Sequence, residues 1–464
     1  MASQFMNALW NAIRPDTLRS RLISALGGEI PDKLQIVNRR FPEMRTVDIM
    51  RAIDRFVAVR GGGVIIDAVS HWGLNDLLAK SPNPHVRDLK VFAPLYEPRA
   101  VGFEAEETFP TQRFWIVPAT KSSGFYVLYL PVRQMMHEFS LEVAARTTDE
   151  AEAVLSTLQK DSVANSIYRG HLVQIEAAQG VKNDYGEEDF SPSIRLTFKQ
   201  ENRIARDQIV LEDRIHEILD RNVFRFFRDR EKLQRLGLPL RRGLLFYGPP
   251  GTGKTFTSKY LFSNLEQVTT FIVTGQSLPH IKSVCHLARM LNPSLVVLED
   301  VDLVFAAREI NLYSSALGDL MDELDGFQPD EQIVFVLTTN AIERLETAIK
   351  DRPGRINQCL YFGHPDAELR KRYLIEYLKP YQTDRIELDR LVDLTDDCSQ
   401  AFLKELVFRA VQFATERIST PAASNGRLEL IFDDMAGAYD EMTRYSESET
   451  ASIMGFAPRG RKTN

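Results

Sequence analysis

The sequence has little cysteine and no long apolar run. Only Cys285, Cys359 and Cys398 occur in 464 residues, and they are far apart. This scarcity argues against a disulfide framework and is typical of a reducing compartment. The longest apolar stretches, near 63–69 and 295–305, fall well short of the ~20 residues that a membrane-spanning helix needs. We therefore expect a cytoplasmic protein without a membrane span.

The sequence also lacks an excess of basic residues. Its 57 Lys and Arg against 64 Asp and Glu give a net charge of −7. Dedicated nucleic-acid binders concentrate basic residues on one face, because binding depends on neutralising phosphates. No His-Glu-x-x-His pattern occurs, so a zinc protease site of that type is not expected. The composition thus argues against nucleic acid as a partner.

The order of apolar patterns predicts three folded zones and a tail. Early segments mix helical periodicity, as at 47–59 and 64–78, with strand-like alternation. From about residue 201, short apolar strands alternate with helical stretches, as in a parallel α/β sheet. The predicted domains are an α+β N-terminal domain (1–200), an α/β P-loop module (201–364), a C-terminal helical lid (365–447) and a flexible polar tail (448–464).

One glycine-rich segment carries the clearest chemistry. It follows the apolar strand 244–247 and opens a helical stretch, which is the setting of a phosphate-binding loop. Glycines let successive backbone N–H groups turn towards an anion at a helix N-terminus. Lys254 would place its charge on the β- and γ-phosphates of ATP, and the Thr255 hydroxyl would ligate Mg²⁺. The predicted nucleotide-binding residues are Gly248, Pro249, Pro250, Gly251, Thr252, Gly253, Lys254, Thr255 and Phe256.

Acidic and amide side chains follow two further apolar strands. Glu299 and Asp300 end the strand 295–298, with Asp302 close behind, and Asn340 follows the strand 333–338. Strand ends of a parallel sheet border the crevice where ligands bind. One carboxylate can hold the Mg²⁺ shell and the other can polarise an attacking water, with the Asn340 amide near the same water.

A short loop, 351–355, carries two cations. Arg352 and Arg355 flank a Pro-Gly turn. Arginine in such a loop is either a surface charge or a finger that reaches a neighbouring subunit's γ-phosphate.

These four motifs, in this order and spacing, resemble those of the AAA ATPase family over about residues 205–445. The resemblance implies a homo-oligomeric ring, most often a hexamer, with ATP at the subunit interfaces. It also implies that Arg352 and Arg355 act on the neighbour's nucleotide and that Asn340 is a sensor of the γ-phosphate.

The sequence departs from the family at the acidic pair. Most members read Asp-Glu, whereas this chain reads Glu299-Asp300. In that order it is similar to the group of mitochondrial Rieske-protein translocases. The resemblance assigns Glu299 to the Mg²⁺ shell, together with Thr255, and Asp300 to water activation.

Two other segments differ from the family pattern. The aromatic-apolar-Gly loop of threading members has no counterpart in 275–293, where Leu278, His280 and Ile281 remain as candidates to face a pore. The lid's usual Ser-Gly-Ala turn is replaced by Ser399-Gln400-Ala401. Nucleotide contacts of that turn are therefore not carried over.

The sequence favours an ATP-hydrolysing ring that remodels, assembles or disassembles a protein substrate captured by residues 1–200. Two alternatives remain open. The chain could be a nucleotide-gated scaffold with little turnover, or a nucleic-acid-associated AAA ATPase. A steady-state ATPase assay separates the scaffold from the ATP-hydrolysing ring. Stimulation of the ATPase rate by DNA or RNA would identify the nucleic-acid-associated ATPase.

Overall fold

The computed structural model describes residues 16–30, 34–119, 124–131, 138–177, 194–302, 316–325, 331–343, 356–417 and 427–444. The chain divides into two compact units. The first comprises Met1–Arg169 and Ala177–Phe198, and the second comprises Gly170–Glu176 and Lys199–Asn464.

The first unit is built on an antiparallel five-stranded sheet in the order β1-β7-β6-β5-β2, with β3 and β4 forming a separate hairpin. Its strands are β1 (Gln35–Pro42), β2 (Val64–Ile66), β3 (Tyr96–Gly102), β4 (Ala105–Pro110), β5 (Gln112–Pro118), β6 (Phe125–Pro131) and β7 (Glu138–Ala145). Its helices are α1 (Leu18–Ala25), α2 (Thr46–Val59), α3 (Leu74–Leu77), α4 (Pro84–Arg87) and α5 (Thr148–Ala164).

Both faces of this sheet are buried. On β5, Trp115 and Val117 pack into one apolar cluster with residues of α2 and α5, whereas Phe114 and Ile116 pack into another with residues of α1. Successive side chains of a strand point to opposite faces, so a strand covered on both sides is apolar throughout. This explains the unbroken apolar run of β5.

The prediction of a helix over 64–78 is wrong. Val64–Ile66 forms β2, which pairs with β5, and within that range only Leu74–Leu77 is α-helical. Three consecutive β-branched residues favour a strand when a neighbouring edge is available. The helix predicted over 47–59 is present as α2.

The second unit contains a parallel sheet with strands in the order β14-β10-β13-β12-β11-β8. The strands from residue 170 onwards are β8 (Leu172–Ala177), β9 (Ile194–Lys199), β10 (Arg241–Tyr247), β11 (Thr269–Val273), β12 (Ser294–Leu298), β13 (Ile333–Thr339), β14 (Gln358–Tyr361), β15 (Gln382–Arg385) and β16 (Glu429–Ile431). The helices are α6 (Asp213–Leu219), α7 (Arg225–Arg228), α8 (Arg230–Arg235), α9 (Lys254–Ser263), α10 (Ile281–Met290), α11 (Ala316–Asp325), α12 (Ala367–Leu378), α13 (Leu388–Leu394), α14 (Gln400–Arg417) and α15 (Phe432–Arg444).

The predicted N-terminal domain, residues 1–200, includes the segment of β8. In the structure, β8 belongs to the sheet of the second unit. It pairs in parallel with β11, Leu172 opposite Thr270 and Ile175 opposite Val273. Ser277 Oγ also donates to the Ile175 carbonyl at 2.9 Å. A strand that follows α5 in the chain therefore extends the sheet of the second unit.

The C-terminal helices α12–α15, which lie in the segment predicted as the lid and are called the lid below, share an apolar core. Leu374, Leu403, Leu406 and Ala410 are fully buried in it. The segment was expected to be helical throughout, but β15 and β16 form a short parallel pair inside it. Some backbone N–H and C=O groups of the lid therefore form their hydrogen bonds between strands and not within helices.

Candidate functional site

The predicted phosphate loop connects β10 to α9, at the carboxyl end of a central strand. Gly248, Gly251 and Gly253 have φ of +143°, +74° and +97°. Positive φ values of this kind strongly favour glycine, which has no Cβ. Gly253 is the N-cap of α9, so the loop ends at the positive end of the helix. The backbone therefore has the form of an anion-binding loop.

Close packing also requires two of these glycines. A Cβ on Gly248 would collide with the Phe362 carbonyl oxygen. A Cβ on Gly251 would lie 2.9 Å from the Ala401 Cβ and 3.2 Å from the Ser399 Oγ. The loop is consequently held against β14's end on one side and the lid on the other, and its conformation suits the phosphates of a nucleotide.

Lys254 is buried, with 5% of its surface exposed. Its Nζ donates to the carbonyl oxygens of Gly248 at 2.8 Å and Pro249 at 2.7 Å. Burial lowers the pKa of this ammonium to about 8, although the nearby Asp300 and Asp302 carboxylates oppose the shift. The group is therefore a desolvated cation inside the loop, where attraction to a phosphate is strong.

The acids after β12 and the amide after β13 meet because these strands are neighbours. Asn340 Nδ2 donates to Asp300 Oδ1 at 3.4 Å, and the Asn340 N–H donates to Asp302 Oδ1 at 3.0 Å. The Asp300 N–H donates to Thr338 Oγ1 at 3.0 Å. Burial, and next the Asp302 charge, raise the pKa of Asp300, which makes its carboxylate a stronger base.

Glu299 has different surroundings from Asp300. Its pKa is raised by burial and next by Asp300, while Lys259 opposes the shift. Asp300 lines the cavity beside the loop, and Glu299 is not among the described residues that do. The assignment of Glu299 to the Mg²⁺ shell stays a prediction.

A cavity of about 390 Å³ lies between the loop and the lid. Residues 250–256 line one side, and Asp300 and Asn340 reach it from the strand ends. The size and the mixture of apolar and charged walls are those of a small-molecule site. The residues fit magnesium nucleotide, because Thr255 with its hydroxyl, Lys254 with its ammonium and Asp300 with its carboxylate all line the cavity.

Sequence reasoning missed the lid's contribution to this cavity. Tyr373, Tyr377 and Lys404 line it, as do Gln208 and Val210 from the segment before α6. Tyr373 donates to the Val210 carbonyl at 2.6 Å, which holds the lid to that segment. Aromatic residues four apart on a helix share a face and usually indicate core packing. The hydroxyl groups of these two tyrosines were the only feature of this pattern in the sequence that could have indicated a role at a site.

The predicted arginine fingers and the candidates to face a pore remain to be located in the structure. Arg352 and Arg355 lie outside the described residues. Leu278 and Ile281, candidates to face a pore, are 2% and 0% exposed and are packed inside the second unit. That interpretation is therefore wrong for these two apolar side chains.

Comparison with known proteins finds a family model whose match includes the loop, the acids and Asn340. Residues 244–364 match the model of the ATPase family associated with various cellular activities (AAA). The matched segment, about a quarter of the 464 residues, is similar to the AAA domain. In the described part of the chain, no helix has the length and apolar character needed to cross a bilayer.

Curated relatives are similar to this chain over part of their length. Proteasome-activating nucleotidase 2 of Haloferax volcanii is 29% identical over 243 residues, 49% of this chain and 56% of that protein. ATPase family gene 2 protein of Schizosaccharomyces pombe is 31% identical over 183 residues, 37% of this chain and 22% of that protein. ATP-dependent zinc metalloprotease FtsH 2 of Sphaerobacter thermophilus is 27% identical over 240 residues, 48% of this chain and 36% of that protein. The chain spans about half the length, or less, of these relatives.

Proposed function

We propose that this chain is an ATP-hydrolysing AAA ATPase that works as a ring and remodels, assembles or disassembles a protein substrate. The observation that carries the proposal is the cavity in which Lys254, Thr255, Asp300 and Asn340 face one space. The AAA match and the ATPase and nucleotidase names of the relatives support it.

The residues divide the work of phosphoryl transfer to water. The loop amides and Lys254 bind the phosphates and offset their charge. Thr255 and Glu299 would hold Mg²⁺, which when bound neutralises phosphate charge and orients its oxygens. Asp300 would accept a proton from water, and its contact with Asn340 at 3.4 Å positions both groups for the same water.

The ring and its partners belong to the same proposal. A homo-hexamer would bring Arg352 and Arg355 to the nucleotide of the neighbouring subunit, where such cations stabilise the transition state. Residues 1–200 would capture the protein substrate. The exposed apolar side chains of Phe92 and Leu95 in the first unit are compatible with this role, at 59% and 73% exposure.

Steady-state hydrolysis of magnesium ATP by the purified chain tests the proposal. We expect turnover, and a hexameric mass in light scattering with nucleotide present. Binding without turnover would favour the nucleotide-gated scaffold instead. Stimulation by DNA or RNA, but not by candidate proteins, would favour the nucleic-acid alternative.

Nucleotide affinity should depend on pH through Lys254. Its pKa of about 8 means that the ammonium loses its proton as pH rises through 8, whereas a free lysine would stay charged. If only the charged form binds, affinity for magnesium ADP should fall about tenfold between pH 7.5 and 9. Calorimetry at several pH values measures this.

A Lys254→Arg variant is the matched control for the pH dependence, because a guanidinium stays charged over this range. It should bind more weakly than the wild type, but with little change between pH 7.5 and 9. A flat profile for the wild type would contradict the assignment.

A further inference from the structure

The lid turn, Ser399–Ala401, is attached directly to the phosphate loop. The Ala401 N–H donates to the Gly251 carbonyl at 3.0 Å. Ser399 caps the start of α14, since its Oγ accepts from the Phe402 N–H at 3.2 Å. The turn is therefore fixed at both ends, and the side chain between them has a defined place.

That side chain is Gln400, which lies across the loop. Its Nε2 donates to the Tyr377 hydroxyl at 3.1 Å. Its Oε1 lies so close to Gly253 that a Cβ on this glycine would collide with it. Gly253 is the N-cap of α9, where the helix offers its positive end to an anion. An amide oxygen with partial negative charge thus lies beside Gly253, and both residues line the cavity.

We propose that Gln400 limits the nucleotide affinity of this site by competing with phosphate for the loop. The inference rests on the proposed function and concerns the same site. Phosphate oxygens and the Gln400 Oε1 are both acceptors, so they repel each other beside Gly253. The amide must rotate away before the loop can hold a phosphate. Apparent affinity is then reduced by the fraction of molecules in which the loop is open.

Gln400→Ala tests the competition, because it removes the amide and keeps the turn. Calorimetry should show magnesium ADP binding about threefold to tenfold tighter, the gain expected if the loop is open in roughly a third to a tenth of molecules. The association rate of a fluorescent ADP analogue in stopped flow should rise by a similar factor. Tyr377→Phe removes the hydroxyl that holds Nε2 and should act in the same direction with a smaller effect.

Gln412→Ala is the matched control, since Gln412 is exposed on the same helix, far along it from the loop. It should change neither affinity nor association rate. Unchanged or weaker binding by Gln400→Ala, with an unchanged melting temperature, would overturn the inference and leave the proposed function standing. Absence of nucleotide binding by the folded wild type would instead reject the proposed function itself.

Discussion

Replacing Lys254 by alanine is expected to weaken the binding of magnesium nucleotide by ~10²–10⁴-fold. A hydrogen bond between charged groups contributes ~1.5–3 kcal/mol, so the loss of two amounts to ~3–6 kcal/mol. The expected loss for Lys254 lies at the upper end of this range of free energies, because only 5% of its surface is exposed to water and its charge is therefore weakly screened. Calorimetry with magnesium ADP measures the change without requiring turnover.

The control for this variant is Lys371→Ala. Lys371 lies on lid helix α12 and forms an exposed ion pair with Asp389 at 2.7 Å. Such exposed pairs contribute little to stability, and Lys371 is not among the described residues that line the cavity. The affinity for magnesium ADP should therefore be unchanged. The melting temperature should show that both variants are folded. If Lys254→Ala binds ADP within threefold of the wild type, the loop is not the phosphate site.

Local sequence was sufficient to predict the loop, but not the arrangement around it. The segment 248–255 has its strand before it and its helix after it, so its geometry depends on near neighbours in the chain. The contact of Asn340 with Asp300 depends instead on β13 lying between β10 and β12. The spacing of apolar residues predicts strands but not their order in a sheet.

The lid shows a second limit of sequence reasoning. Tyr373 and Tyr377 had the helical spacing of core residues, and both do pack against each other, with ring centroids 6.1 Å apart. Only the structure shows that their hydroxyl groups bond to Val210 and Gln400 at the cavity. A side chain with an apolar body and a polar end can serve the core and a site together.

Asp300→Asn should leave nucleotide binding within about threefold of the wild type and lower turnover by ~10²–10⁴-fold, the usual contribution of a general base. The amide has the same shape as the carboxylate and can still contact Asn340, so the variant should fold normally. It cannot accept a proton from water. Turnover of magnesium ATP under saturating conditions measures the loss, and a stalled variant should retain bound protein substrate.

Two variants make this result decisive for the roles of the acidic pair. Asp389→Asn changes an exposed aspartate of the lid and should leave turnover unchanged. Glu299→Gln should mainly raise the magnesium concentration needed for turnover, if Glu299 holds the ion's shell. Full turnover by Asp300→Asn together with loss in Glu299→Gln would exchange the two roles. The structure supports a role for Asp300 beside the nucleotide, because Asp300 lines the cavity and contacts Asn340, whereas the Mg²⁺ role of Glu299 stays a prediction.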